Sequence, residues 1–154
     1  MSLHIVLVEP EIPANTGNIA RTCAATGTHL HLVRPLGFNT DDRTLKRAGL
    51  DYWHAVNIHY YDSFQELRDL YPEGRFFCAS TRSSKRYCEH AYEDGDFFVF
   101  GKETKGLPQS ILDAHPDTCI RLPMTDKVRS LNLSNSAAIV IYEALRQNDF
   151  FSLE

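Results

Sequence analysis

The chain has 154 residues, 43% of them hydrophobic and 23% charged, and its formal net charge is −4. A chain of this length supports one globular core but not two, so we predict a single domain over residues 1–154. No apolar run reaches the roughly 20 residues that cross a membrane, and the first residues lack the basic start of a signal peptide. We therefore expect a cytoplasmic protein. The net acidity argues against strong nonspecific adsorption to nucleic acid.

The first half of the chain alternates between apolar runs and helical patterns. Residues 4–8 form a continuous apolar run that predicts a buried strand, followed by a polar loop and a helix over residues 19–26. A second strand is predicted over residues 29–33. Three more elements follow along the chain, a helix at 41–48, a strand at 56–60 and a helix at 63–71. Ser63 is the candidate N-cap of the last of these, with Glu66 three residues further on, as in a capping box.

The second half continues this alternation and ends in a long helix. Strands are predicted at 76–80, 97–100 and 119–122, with a helix at 108–114 before the last of them. Strands that alternate with helices indicate an α/β fold. The expected architecture is a mostly parallel six-stranded sheet with helices on both faces.

The last helix follows a run of small polar residues whose side-chain oxygens suit a helix start. Its predicted buried face consists of Leu133, Ala137, Val140, Ile141, Ala144 and Leu145. Ala138, Ile139 and Tyr142 widen this apolar face beyond what one core contact requires. The polar start has two open interpretations, an ordinary helix cap and part of a small-molecule site.

The cysteines and histidines give little sign of a metal site. The four cysteines form no CxxC pair, and only His29–His31 and Cys88–His90 are spaced like ligands. Both pairs lack the second pair that a closed zinc site requires. We therefore expect no metal.

Four loops of the predicted sheet carry most of the unusual polar, glycine and basic residues. They are residues 9–18, 81–86, 101–107 and 123–130, and each follows a predicted strand. In parallel sheets, ligands bind at the carboxyl ends of the strands. This coincidence favours a functional site at that edge over a simple helix cap.

The loop after the fifth strand, GKETKGLP, resembles a phosphate-binding loop but does not match one. A P-loop needs GxxxxGK followed by Ser or Thr, whereas Gly95 and Gly101 are one residue too far apart and Glu103 occupies the Ser/Thr position. No GxGxxG fingerprint is present. We expect Gly101 to allow close approach of a ligand to the backbone. Glu103 either contacts a ligand or forms a local salt bridge with a neighbouring lysine.

The segment Asn15 to Arg21 has two interpretations that spacing alone leaves open. In the first, Asn15 or Thr16 caps the helix and Arg21 lies on a solvated face. In the second, Arg21 lies one turn inside the helix and points over the strand ends toward a phosphate or a reacting hydroxyl.

Basic residues occur in four clusters near these loops, despite the negative net charge. Such clusters suit contacts with nucleic-acid phosphates. The residues that we expect to bind RNA are Arg43, Lys46, Arg47, Arg82, Lys105 and Arg129. Tyr52, Trp53 and Tyr87 are candidates for base stacking, although core packing is the favoured interpretation for Trp53.

Three motifs together resemble those of the SPOUT RNA methyltransferases. They are NTGNIAR near the N-terminus, FVFGKETKGLP, and IRLPM followed by RSLNLSNSAAIVIYEA, and they occur in the family's order. The resemblance covers essentially all 154 residues. Within the family, the chain is most similar to the single-domain enzymes that methylate the ribose 2′-hydroxyl of nucleotide 34 in tRNA.

The resemblance implies a deep trefoil knot near the C-terminus, bound S-adenosylmethionine as cofactor, and a homodimer. The last implication agrees with the wide apolar face of the final helix. The implied cofactor-binding residues are Ala79, Thr81, Gly101, Gly106, Leu122, Met124, Ser130 and Leu131. The implied catalytic and substrate-positioning residues are Asn15, Arg21, Glu103, Ser130 and Asn132.

The implied reaction makes modest chemical demands. The methyl group on a sulfonium is already activated, so the protein must mainly align it with the ribose oxygen and assist proton removal. We expect Arg21 to orient the target phosphate and lower the pKa of the hydroxyl, because arginine stays protonated and is a poor base. Whether Arg21 accepts the proton itself stays open. No metal is needed.

The implied substrate is the anticodon stem-loop of a tRNA, leucine tRNA by resemblance, whose splayed bases are reachable without opening a duplex. Two alternatives stay open within the same class, 2′-O-methylation of ribosomal RNA and methylation of a base nitrogen. A third is a non-catalytic RNA-binding dimer of the same fold, although a pure binder has no evident use for the full set of catalytic residues.

Overall fold

Six strands form one sheet in which every pairing is parallel. The computed structural model describes residues 2–39, 43, 47 and 53–154. In chain order the elements are β1 (His4–Val8), α1 (Pro13–Thr26), β2 (His29–Val33), β3 (Ile58–Tyr61), α2 (Phe64–Leu70), β4 (Phe76–Ala79), β5 (Phe97–Phe100), α3 (Gln109–Ala114), β6 (Cys119–Ile120) and α4 (Leu133–Gln147). The predicted α/β fold with a parallel six-stranded sheet is confirmed.

The strand order, β3-β2-β1-β5-β4-β6, places the predicted functional loops side by side. Strands β1, β5, β4 and β6 are consecutive neighbours, and all run in the same direction. The loops that leave their carboxyl ends therefore emerge at one edge of the sheet. This edge carries the candidate site.

Each face of the sheet has its own hydrophobic core, because successive strand residues point to opposite sides. One core joins Ile5, Leu7 and Phe98 of the strands to α1 and α4. The other joins Val6 and Val99 to α2 and α3. The strands are buried on both faces, which explains why they appear in the sequence as continuous apolar runs.

Strand β6 lies between two parts of one chain segment. On one side, Ser80 N–H donates to Ile120 C=O at 2.9 Å as part of the pairing with β4. On the other side, Arg121 N–H donates to Lys85 C=O at 2.9 Å, and Tyr87 N–H donates to Arg121 C=O at 2.8 Å. The chain therefore passes between β4 and the loop that follows β4.

Several element boundaries differ from the sequence-based expectations. Helix α1 begins at Pro13 rather than at residue 19, so Asn15 and Thr16 lie inside it, and its N-cap Ile12 has no side-chain cap bond. Of the two interpretations left open for this segment, capping by Asn15 or Thr16 is therefore excluded. Strand β3 begins at Ile58 rather than at residue 56, and β4 and β6 end one and two residues earlier than predicted. The predicted helix at 41–48 lies outside the described residues, except for the exposed Arg43 and Arg47.

The capping predictions for two other helices are confirmed. Asn132 caps α4, its side-chain oxygen accepting from Asn135 N–H at 3.2 Å. Ser63 caps α2 by accepting from Glu66 N–H at 3.1 Å, and Glu66 in turn accepts from Asp62 N–H at 2.8 Å. Local sequence signals identify these caps because both partners lie within four residues of each other.

Four histidines stack beside one another on the α2 side of β1, β2 and β3. They are His4, His29, His31 and His59, with ring centroids 4.9–6.5 Å apart. His4 Nδ1 lies 2.9 Å from His31 Nε2, and His31 Nδ1 lies 2.9 Å from the Tyr61 hydroxyl. Burial, and then repulsion from His29, lowers the pKa of His4 to about 4. Burial, and then the neighbouring His4, lowers the pKa of His31 to about 2.

These lowered pKa values predict acid sensitivity. The folded chain keeps His4 and His31 neutral, while the unfolded chain protonates them below about pH 6.5, so stability falls as the pH drops below that value. The fully buried His31 alone contributes up to about 1.4 kcal/mol per pH unit. Urea midpoints should be lower at pH 5 than at pH 7, and His31→Phe should flatten this difference while the exposed His54→Gln should not. Equal wild-type midpoints at both pH values would contradict this expectation.

The described residues contain no helix with the length and apolar character needed to cross a bilayer. In the same part of the chain, no three His, Cys, Asp or Glu side chains are arranged to hold a metal ion. The spacing of His29 and His31 is therefore explained by the stack of imidazole rings.

Candidate functional site at the carboxyl edge of the sheet

A cavity of about 630 Å³ opens at the carboxyl ends of β4, β5 and β6. Its walls come from three loops that are distant in sequence, residues 79–82, 101–107 and 122–132, and from the first turns of α1, α3 and α4. This volume is in the range of small-molecule and cofactor sites. Apolar groups line its floor, including Phe100, Ile120 and Leu122, and polar groups line its mouth.

The structure brings together most of the residues that the sequence singled out. All eight implied cofactor-binding residues line the cavity. Of the five implied catalytic residues, Asn15, Glu103, Ser130 and Asn132 line it, and Arg21 does not. Among the described residues, the Ser130 hydroxyl forms no hydrogen bond, so it remains able to bind a ligand.

Gly101 follows β5 directly and allows its own loop to close. A Cβ on Gly101 would lie 2.0 Å from the carbonyl carbon of Gly106 and 2.1 Å from the Leu107 nitrogen. Gly106, at φ 69°, turns the chain back, and its N–H donates to Lys102 C=O at 2.8 Å. The missing side chain at Gly101 therefore lets its own loop close, and Gly101 also lines the cavity, so the close approach of a ligand to its backbone stays a prediction. The closed loop forms one wall of the cavity.

Glu103 fastens this loop to the start of α1. Its carboxylate accepts from Glu11 N–H and Ile12 N–H, both at 2.8 Å, and from the Asn15 side-chain amide at 3.1 Å. Ile12 is the N-cap of α1 and Glu11 precedes it. The N–H groups at a helix start lack intrahelical partners and carry partial positive charge, so the carboxylate satisfies the N-cap N–H and lies beside the positive end of the helix. Lys102 lies 3.8 Å from Glu9 instead. The structure therefore shows Glu103 as a helix-capping group rather than as a partner of Lys102 or Lys105.

Asn15 extends this connection to α4. Its side-chain oxygen accepts from the Asn132 side-chain amide at 3.1 Å, and Asn132 caps α4. Asn15 is 6% exposed, so its two bonds replace lost contacts with water. The chain Glu103–Asn15–Asn132 thus ties the loops after β1, β5 and β6 into one unit.

Removing the charge of Glu103 should weaken that unit. Glu103→Gln keeps the size of the side chain, but the amide offers one acceptor oxygen to three donors and no charge to the helix start. We expect the methyl transfer that the resemblance implies to fall about 10- to 100-fold, since about 1.5–3 kcal/mol is typical for a bond to a charged group. Glu66→Gln removes a comparable carboxylate cap from α2, away from the cavity, and should leave turnover unchanged. Full turnover of Glu103→Gln would refute the role of this contact.

Arg21 lies apart from the cavity of its own chain. Because α1 begins at Pro13, Arg21 is two turns inside the helix rather than one. It lies about 9 Å along the axis from Asn15 and about 120° around it, on an exposed face. Arg21 therefore does not reach the floor of the cavity in its own chain.

The predicted RNA-binding cations divide into two groups. Arg82, Lys105 and Arg129 are exposed and line the mouth of the cavity. Arg43 and Arg47 are exposed elsewhere in the chain, and Lys46 lies outside the described residues, as does Tyr52. Trp53 and Tyr87 are partly buried against the core, as favoured for Trp53.

Sequence reasoning missed three kinds of contribution to the site. The backbone N–H groups of Glu11 and Ile12 hold Glu103, and no sequence signal marks them. Gln109 and Leu112 of α3 line the cavity, which the glycine and proline immediately before that helix could have suggested. Lys102 lines it as well and pairs with Glu9.

Comparisons with known proteins agree on one family. The model of the SpoU rRNA Methylase family matches residues 2–142. A relative from Bacillus subtilis (strain 168), provisionally named tRNA (cytidine(34)-2′-O)-methyltransferase, is 58% identical over 157 residues, covering 100% of this chain and 98% of the relative. A solved structure entitled "Structural insights into the 2-OH methylation of C/U34 on tRNA" superposes with a TM-score of 0.92 at 44% identity, covering 96% of this chain and 97% of that one.

A more distant structure shares the fold. The AdoMet-bound rRNA methyltransferase from Sinorhizobium meliloti superposes with a TM-score of 0.85 at 23% identity. The match covers 94% of this chain and 56% of that one.

Proposed function

The chain belongs to the SpoU rRNA methylase family and is a methyltransferase, and we propose that it methylates the ribose 2′-hydroxyl of nucleotide 34 in tRNA with S-adenosylmethionine as donor. The observation that carries this proposal is the single cavity bounded by all three family motifs. High identity over the full length of relatives named for this activity supports the choice of tRNA.

The cavity suits the proposed cofactor in size and in chemistry. Its apolar floor at Phe100, Ile120 and Leu122 matches a nucleoside base, and the backbone of residues 101–107 offers hydrogen-bonding groups. The Ser130 hydroxyl, without a partner among the described residues, fits the polar end of such a ligand. When bound, the cofactor supplies an already activated methyl group.

The residues of this chain then position the reacting atoms and stabilise the charge that develops on the 2′-oxygen. Glu103, Asn15 and Asn132 hold the cavity walls at fixed distances, which aligns the reacting atoms. Arg21 binds the phosphate next to the target ribose and stabilises negative charge that develops on the 2′-oxygen. With S-adenosylmethionine bound, the 2′-oxygen would take the methyl group as the bond to the sulfonium sulfur breaks, and it would give up its proton to solvent, so that S-adenosylhomocysteine is the second product. Because tRNA is present in the cytoplasm, we propose that the enzyme acts there. We also propose that residues 1–154 form one domain.

We also propose that the path of β6 is part of a deep trefoil knot. The support comes from the hydrogen bonds on the two sides of this segment. Ile120 bonds to Ser80 on one side, and Arg121 bonds to Lys85 and Tyr87 on the other. True knots are close to absent among folds. This one would hold the loops after β4 and β6 against each other around the cofactor.

A homodimer is the proposed assembly. Ile139 and Tyr142 of α4 are 39% and 47% exposed, outside the face that packs on the sheet, and Val128 and Leu131 before the helix are exposed as well. Exposed apolar side chains on one side of α4 are suited to contact with a second copy of this chain.

This assembly predicts a sedimenting mass of twice the 17.6 kDa of one chain. Ile139→Lys should shift the mass toward one chain, because it places a charge in the proposed contact. Leu70→Lys changes an exposed leucine on α2 at the opposite face of the sheet and should leave the dimer intact. A wild-type monomer would contradict the proposed assembly.

Methylation mapping tests the substrate. The protein is incubated with methyl-labelled S-adenosylmethionine and total RNA, and the labelled nucleotide is identified after nuclease digestion. We expect label on the 2′-oxygen of tRNA nucleotide 34. Label confined to ribosomal RNA or to a base nitrogen would replace the proposed substrate, and no label in any RNA would refute the proposed activity.

A further inference from the structure

Glu9 holds a strained backbone conformation at the end of β1. Its φ is 55°, in the left-handed region that residues other than glycine rarely adopt. Such a conformation is strained and persists only where the surroundings enforce it. It occurs at the carboxyl edge of the sheet, two residues before the N–H groups that hold Glu103.

Hydrogen bonds to neighbouring segments fix the backbone at and after this turn. Glu9 N–H donates to Val33 C=O at 2.9 Å, and Pro10 C=O accepts from Gly37 N–H at 2.9 Å. Glu11 uses its backbone to hold Glu103 and its carboxylate to accept from Thr104 N–H at 3.0 Å. The strained turn therefore aims the start of α1 at the loop that follows β5.

The same turn places the Glu9 carboxylate beside Lys102. Glu9 Oε1 lies 3.8 Å from Lys102 Nζ, and the two side chains are 31% and 29% exposed. Of the four cations that line the cavity, Lys102 is the one held in an ion pair within the described part of the chain. Arg82, Lys105 and Arg129 form none there.

We propose that Glu9 is a further positioning residue, which holds Lys102 at the cavity mouth in the free enzyme and releases it to an RNA phosphate when the substrate binds. This inference rests on the proposed tRNA substrate. A partly exposed pair 3.8 Å apart is a weak interaction. A phosphate can therefore exchange with the carboxylate at little cost, and the carboxylate reduces the attraction for RNA until a phosphate is aligned with Lys102.

This exchange gives the two partners opposite effects on tRNA binding. Glu9→Gln frees Lys102, so the variant should bind tRNA about 3- to 10-fold more tightly at low salt, with a salt slope steeper by about one. Lys102→Met removes the cation and should weaken binding by a similar factor. The double variant should match Lys102→Met, because Glu9 acts only through Lys102. If Glu9 had only a structural role, Glu9→Gln and Lys102→Met would not change tRNA affinity in opposite directions.

Glu9→Gly separates the carboxylate from the backbone turn. Glycine adopts a positive φ without strain, so the turn is kept while the charge is lost. This variant should match Glu9→Gln in tRNA affinity. Glu73→Gln, an equal charge change at an exposed position on the opposite edge of the sheet, is the control for net charge.

The experiment measures tRNA binding across a salt series for the full-length variants, with S-adenosylhomocysteine affinity and thermal midpoint recorded for each. The inference is overturned if Glu9→Gln weakens binding or equals Glu73→Gln. It is also overturned if Lys102→Met changes S-adenosylhomocysteine affinity instead of tRNA affinity. Failure of the wild type to bind or methylate tRNA would refute the proposed function, whereas normal wild-type activity with indistinguishable Glu9 variants would refute this inference alone.

Discussion

Gly101→Ala should abolish cofactor binding. The added Cβ would lie 2.0 Å and 2.1 Å from backbone atoms of Gly106 and Leu107, and backbone cannot yield as a flexible side chain can. The loop must open, and its wall of the cavity moves with it. A displacement of about 1 Å at such a site can cost 100-fold, so we expect S-adenosylhomocysteine affinity and methyl transfer to fall at least about 100-fold. Isothermal titration and a methyl-transfer assay measure these two effects.

Gly27→Ala is the matched control for this substitution. Gly27 ends α1 at φ 71°, and a Cβ there would meet nothing within 4 Å. Alanine at this position should lower stability by about 1 kcal/mol through backbone strain alone. It should leave cofactor affinity unchanged. Wild-type affinity in Gly101→Ala would show that the closed loop is not part of the cofactor site.

Arg21→Ala should abolish methyl transfer while keeping cofactor affinity within about twofold. Arg21 is absent from the cavity lining and lies on an exposed face of α1, so its loss should not disturb the cofactor. Loss of a group that stabilises developing charge typically lowers turnover by about 100- to 1,000-fold. Single-turnover methylation of tRNA and S-adenosylhomocysteine titration separate the two effects.

Two further variants sharpen the test of Arg21. Arg21→Lys keeps the charge but loses the paired donors of the guanidinium, so it should restore only part of the activity. Arg68→Ala removes an arginine from α2, which covers the opposite face of the sheet, and should retain turnover. An Arg21→Ala variant with full turnover would refute the proposed role.

Strand positions followed from the sequence because burial on both faces makes each strand an apolar run. The runs at residues 4–8, 29–33 and 97–100 coincide with β1, β2 and β5. The order of the strands could not be predicted in this way, because a run such as FFVF pairs equally well with any neighbour. The passage of β6 beside residues 85–87 depends on contacts about 35 residues apart, which local patterns do not encode.

The start of α1, within the site, also depends on contacts that local sequence patterns do not encode. No local residue caps this helix, and its first N–H groups are held by Glu103, about 90 residues further along the chain. Sequence reasoning identified Glu103 as an unusual acid but could not assign its partner. In contrast, Asn132 and Ser63 have partners three residues away, and their capping was predicted.

The cofactor-binding residues that the resemblance implied all line one cavity, and the loops that carry them follow the carboxyl ends of neighbouring parallel strands. Arg21 was expected one turn inside α1, and the longer helix moves it one turn further from the strand ends. The proposed role of Arg21 is therefore a contact with the RNA rather than with the cofactor.

Hydrogen–deuterium exchange with and without S-adenosylhomocysteine tests the central claim most directly, namely that three distant loops form one cofactor site. The account predicts that the ligand slows exchange together in residues 79–82, 101–107 and 122–132. It predicts no change at the opposite edge of the sheet, in residues 71–75. Protection confined to one of the three loops, or no protection in any of them, would contradict the account.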